Sequence, residues 1–101
     1  MVKSFSVYGK IIPVKLEDDP SIDGQAMDGY FDANNLIIVI NKKLSEKQQK
    51  LTLYHELIHA LFYRVGISMV IDRALQEILC ESISQFIDES FEMKGRRKCK
   101  K

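Results

Sequence analysis

Residues 44–66 read LSEKQQKLTLYHELIHALFYRVG, and the reading of this stretch decides the fold. Ser45 is a good helix N-cap, and Gln48 three residues on completes a capping box. Apolar residues recur at Leu51, Tyr54, Ile58, Leu61, Phe62 and Val65, which is helical spacing. Gly66 is a natural stop, because a helix commonly ends on a left-handed residue. A helix of this length needs an apolar partner. A second one is expected from an N-cap at Asp72 to about Phe91, with Leu75, Ile78, Leu79, Ile83, Phe86 and Ile87 as its stripe.

Upstream the pattern changes to strand. Ser4 to Tyr8 and Ile11 to Leu16 are short and apolar or β-branched, with Pro13 marking an edge or a bend. Glu17 to Asp28 is rich in Asp, Gly, Ser and Pro and reads as loop. Gly29 to Asp32 begins a short strand, Ala33-Asn34-Asn35 a hairpin turn, and Leu36 to Ile40 a buried strand. The expected class is α+β: a small antiparallel sheet packed on two long helices.

The chain has 101 residues, which leaves room for one core. A single domain over 1–93 is expected, followed by a basic tail over 94–101 that reads as disordered. The tail holds six basic side chains, which leaves 9 basic and 14 acidic residues in the body. That balance gives the body no pull toward nucleic acid, and the tail offers at most a weak contact, having no aromatic residue to stack on bases. No apolar run approaches the length of a membrane span, and the start lacks the apolar stretch of a signal peptide. Cys80 and Cys99 do not form a disulfide framework, so a cytoplasmic setting is expected. A cysteine-based metal site is disfavoured, since neither has a near partner in sequence.

Both histidines of the chain lie in one pentapeptide, His55-Glu56-Leu57-Ile58-His59. Residues i and i+4 share a helix face, so the two imidazoles converge on one point. Neutral imidazole is a common zinc ligand. In an H-E-x-x-H helix the glutamate lies beside the metal's water and acts as general base, which is the role expected for Glu56. A catalytic zinc needs a third protein ligand. Glu77 and Glu81 on the second helix are the candidates.

The stretch GYFDANNLIIVINKKLSEKQQKLTLYHELIHALFYRVG, followed by LQEILCESISQFI, resembles the zinc metallopeptidases called gluzincins. It is most similar to small phage- and mobile-element-associated proteins near the ImmA/IrrE metallo-endopeptidase family. The resemblance implies a zincin-like domain with Glu77 as ligand and Glu81 supporting a ligating histidine, with Glu81 kept as an alternative ligand. It implies hydrolysis of a peptide bond in a protein or peptide. Tyr63, one turn beyond His59, is a candidate oxyanion donor. An extended substrate could pair with a sheet edge, for which Leu36 to Ile40 is the expected strand. The alternative from another class is a non-catalytic zinc-binding module in phage or mobile-element assembly or regulation. The sequence leaves the oligomeric state open.

Overall fold

A computed structural model describes residues 4–92. The tail over 94–101 and Cys99 lie outside the described residues. The chain begins with an antiparallel hairpin, β1 (Ser4–Val7) and β2 (Lys10–Glu17). Its two-residue turn, Tyr8-Gly9, has positive φ at both positions, 48° and 79°, as a tight hairpin turn matching the strand twist requires. A second, separate hairpin follows, β3 (Ser21–Ile22) and β4 (Gln25–Ala26). It closes through Asp23-Gly24, again with positive φ at both, 52° and 80°. β5 (Gly29–Asp32) and β6 (Ile37–Asn41) complete the strands.

The main sheet has the order β1-β2-β6-β5. β5 and β6 are antiparallel, but β2 and β6 run parallel, Val14 opposite Ile38 through Glu17 opposite Asn41. The α+β class holds, and the sheet is mixed instead of antiparallel. The parallel pair arises because the chain makes two excursions, the small hairpin and β5, between β2 and β6. Pro13 falls where β2 changes partner: residues up to it pair with β1, and Val14 onward with β6. β6 is therefore interior, and the edges of this sheet are β1 and β5. The expectation that residues 36–40 form an edge is corrected accordingly.

Helix α1 (Glu46–Val65) is capped as its sequence requires. The Ser45 hydroxyl accepts from the Gln48 N–H at 3.2 Å, and Gly66 closes the helix at φ 86°. Its sheet-facing side contributes Leu53 and Ala60 to a core with Val7, Ile12, Ile38 and Ile40. Arg64 donates to the Val7 and Tyr8 carbonyls, at 3.5 and 3.0 Å, and ties the helix end to the first hairpin turn.

Helix α2 (Arg73–Ile87) starts at Asp72, whose carboxylate accepts from the Leu75 N–H at 2.7 Å. It ends earlier than its periodicity suggests, passing into a π-helical turn over Asp88–Glu92. The helix packs on α1 around Ile58, Phe62 and Cys80, supported by Leu79, Ile83 and Ile87. The buried positions of α2 are Gln76, Cys80 and Ser84, and the expected stripe is only half used: Leu75, Ile78 and Phe86 are exposed. Small and polar residues at a four-residue interval let the two helices approach along that line, and this seam holds the site.

Candidate metal centre and cleft

His55 and His59 project from the middle of α1 toward α2, with ring centroids 5.0 Å apart. Glu77, in the second turn of α2, meets both. One carboxylate oxygen lies 3.1 Å from His55 Nε2 and the other 3.1 Å from His59 Nε2. The remaining ring nitrogens have their own acceptors. His55 Nδ1 donates to Glu81 at 3.2 Å, and His59 Nδ1 donates to the Gln76 side-chain oxygen at 2.8 Å. Hydrogen bonds at Nδ1 fix ring orientation and leave both Nε2 atoms to the same point. Two ligands bound at 2.0–2.1 Å around a tetrahedral ion are about 3.3 Å apart. Each Nε2 stands about that far from one Glu77 oxygen, and the nitrogen and oxygen donors suit zinc chemistry.

Of the residues expected at the site, His55, Glu56, His59, Glu77 and Glu81 are brought together. Tyr63 lies on the cleft wall, 43% exposed, with its ring edge-on to Phe31 at 5.7 Å between centroids. Gln76 was missed, because a glutamine inside an apolar stripe reads as a surface residue. Its place one turn before Cys80, on the buried line of α2, is what brings it to the site. Cys80 corrects another expectation. It is fully buried, and one donor atom from each of His55, His59 and Cys80 lies within 4.8 Å of the others. Burial, with the nearby charges of Glu77 and Glu56, pushes its thiol up to about 12.

Glu56 is 8% exposed on the cleft floor. Burial raises its carboxyl from 4.5 to about 7, against the opposing pull of His55, while the charge of Glu77 pushes it further up. The Phe31 N–H also bonds to it. That contact follows from strand register. Asn41 donates to the Asp28 carbonyl at 2.8 Å, so alternation directs Tyr30 and Asp32 toward β6 and leaves the peptide groups of Gly29 and Phe31 on the free edge. Gly29 makes the approach possible: a Cβ there would stand 2.7 Å from both Thr52 Cγ2 and the Val39 carbonyl oxygen. β5 is thus pressed against α1 beside the histidines.

A cleft opens on both sides of this centre. One half, about 470 Å³, lies toward Phe31, Tyr63 and Ile71, and the other, about 460 Å³, toward Asp28, Thr52 and Glu81. Gly29, His55 and Glu56 line both. Among the described residues no helix is long and apolar enough to cross a membrane.

Comparison with known proteins adds one positive finding. No curated protein and no solved structure matches the chain significantly. The model of the IrrE N-terminal-like domain, a peptidase family, matches residues 12–81, a span from within β2 through the first half of α2. The chain belongs to that family of metallopeptidase domains.

Proposed function

We propose that the chain is a zinc-dependent peptidase that hydrolyses a peptide bond in a protein or peptide, with His55, His59 and Glu77 as ligands and Glu56 as general base. The observation that carries this reading is the convergence of both Nε2 atoms on one carboxylate, with a buried carboxyl of raised pKa on the adjoining cleft floor. The family supports the coarser part, a metallopeptidase domain. Resemblance to phage and mobile-element proteins, and cysteines placed apart in sequence, support a cytoplasmic, phage-related setting.

When bound, zinc would polarise the scissile carbonyl and acidify water in the cleft. Glu56, buried on the cleft floor beside the histidines, would take a proton from the attacking water and pass it to the leaving amine. Glu81 and Gln76 hold the imidazoles in position. The Gly29 peptide groups and the Phe31 carbonyl on the β5 edge would receive the substrate as an added strand, the Phe31 N–H being held by Glu56. Tyr63 is the candidate donor to the oxyanion.

One observation favours the second reading, a non-catalytic zinc-binding module. Cys80 beside both histidines could supply a fourth protein ligand, and four ligands close a structural site. Two measurements separate the readings. Glu56→Gln should keep stoichiometric zinc and lose all hydrolysis of a peptide library. The cobalt-substituted wild type should lack an intense sulfur-to-metal charge-transfer band in the near ultraviolet. A zinc-loaded wild type that cleaves nothing, with that band present and lost in Cys80→Ser, would establish the closed site instead.

A further inference from the structure

Helix α2 has three sides, and the core and the candidate site use two of them. Gln76, Cys80 and Ser84 form the line buried against α1, and Glu77 and Glu81 stand on one flank of that line, at His55 and His59. At about 100° per residue, Leu75, Ile78, Ser82 and Phe86 share an arc of about 80° on the far side. All four are exposed, Ile78 and Phe86 each to 61%. Phe91, 59% exposed, extends the stripe, its ring edge-on to Phe86 at 6.5 Å between centroids.

A helix whose third side faces only water carries polar residues there. Single exposed apolar residues need no explanation, but a contiguous stripe does. Aromatic side chains of about 150–250 Å² each, three-fifths exposed, leave about 200–300 Å² of apolar surface on Phe86 and Phe91 together. With Ile78 and Leu75 added, the stripe reaches the few hundred Å² at which an exposed patch marks a contact.

The order of residues along the stripe says what covers it. Ser82 is its one small residue and lies at its middle, four residues from Ile78 and four from Phe86. The stripe therefore has the same character in both directions from Ser82, bulky and apolar one turn away. A second α2 laid antiparallel, with the two Ser82 residues at the crossing, sets Ile78 of each copy against Phe86 of the other, and the small residue lets the axes approach. Charge agrees with that direction. Arg73 opens the helix, 88% exposed, and Asp88 and Glu89 follow its end. Antiparallel pairing brings Glu89 of each copy to the first turn of the other, where Arg73 and the helix dipole are positive. Parallel pairing would set Glu89 against Glu89.

We propose that the chain self-associates as a two-fold dimer through this outer face of α2, crossing at Ser82. Both clefts stay open, because Glu77 and Glu81 lie on the other flank of the helix. The stripe is smaller than the roughly 800 Å² per partner of a tight interface, so the dimer is a reversible one.

Sedimentation equilibrium of the zinc-loaded full chain should show a monomer–dimer equilibrium. Ser82→Arg places two cations at the crossing and should leave only monomer. Phe86→Ser, which loses its contact twice in a symmetric pair, should weaken association at least about tenfold. Arg73→Glu should weaken it roughly two- to tenfold, as for exposed charge pairs counted twice, and adding Glu89→Arg should restore it. In a Cys99→Ser chain, where Cys80 is buried, Ser82→Cys should oxidise to a disulfide-linked dimer, while Lys47→Cys, exposed at the start of α1, should not. The substituted side chains are exposed, and far-ultraviolet circular dichroism checks that each variant keeps its helices. A chain that is monomeric at millimolar concentration overturns the proposal, whatever other partner covers the face. So does a dimer that tolerates Ser82→Arg, or a Ser82→Cys chain that cross-links no faster than Lys47→Cys.

Discussion

The Gln76 side chain, buried in the seam between the two helices, accepts the Nδ1 proton of His59 at 2.8 Å. That bond sets which ring nitrogen is left for a metal, and it does so without adding charge. His55 is held differently, by the carboxylate of Glu81, which is 64% exposed. The two imidazoles therefore have unequal supports, one dry and neutral and one wet and anionic.

The dry support is the one expected to matter more. Gln76→Leu keeps the volume and removes the acceptor, leaving His59 Nδ1 without its partner. Zinc affinity should fall 10- to 100-fold, the usual cost of losing a group that orients a ligand. Competition against a chromophoric chelator measures it. Glu81→Gln should cost less, since water and the amide oxygen both replace the lost carboxylate. Equal losses in the two variants would mean that burial of the support is irrelevant.

The raised pKa of Glu56 makes the metal-free protein sensitive to pH in a definite direction. The folded value, about 7, lies above the ordinary value of 4.5, so the folded state holds the extra proton between them. The associated stability is fully present below about pH 4.5 and is lost as pH rises through 7. The shift corresponds to on the order of 3 kcal/mol. Urea melts of chelated protein should therefore show stability falling from pH 5 to pH 8, after allowance for other groups. Glu56→Gln should flatten that slope and be the more stable protein at pH 8. A parallel slope in the variant would assign the effect elsewhere.

Gly29 carries the approach of β5 to α1, where it lines the cleft with His55 and Glu56. A methyl group there meets backbone on one side and Thr52 on the other. Overpacking at a buried position costs about 1–3 kcal/mol, so Gly29→Ala should lower stability by that amount. It should also move the strand edge away from Glu56. Loss of the Phe31 N–H contact would appear as faster amide exchange at Phe31, out of proportion to the global loss. Thr52→Ala in the same chain relieves one of the two clashes and should recover part of the stability.

Much of this centre was legible because helix signals are local. Ser45, Gly66 and Asp72 occupy the cap positions their side chains dictate, and i, i+4 spacing alone brings His55 and His59 to one face. What escaped was non-local. The parallel β2–β6 pair depends on where two excursions of the chain go, and periodicity within either strand carries no trace of it. The β3–β4 hairpin forms within a segment of loop composition, although Asp23-Gly24 is the dipeptide a tight turn favours. In the next turn the positive φ falls on Leu36, not on an asparagine. Asp32 accepts from the N–H groups of Asn34 and Asn35, at 3.0 and 3.2 Å, and holds the turn instead. Cys80 has no ligand-forming neighbour close in sequence; its neighbours are across the seam.

Metal removal should weaken the fold, because the candidate ligands would cross-link two helices whose apolar contact rests on the small cluster of Ile58, Phe62 and Cys80. An ion bound only by the folded state stabilises by about 4 kcal/mol when present at a thousandfold over its dissociation constant. For a domain of this size each kcal/mol moves the melting temperature by roughly 4–8 °C. Chelation should thus lower the midpoint by well over 10 °C, read by circular dichroism at 222 nm, and zinc should restore it. Glu77→Gln should melt near the chelated wild type and respond little to added zinc. Cys80→Ser separates the two ligand sets: with Glu77 as third ligand, it loses some packing stability but keeps the full response to zinc. A response abolished by Cys80→Ser and retained by Glu77→Gln would transfer the third position to sulfur.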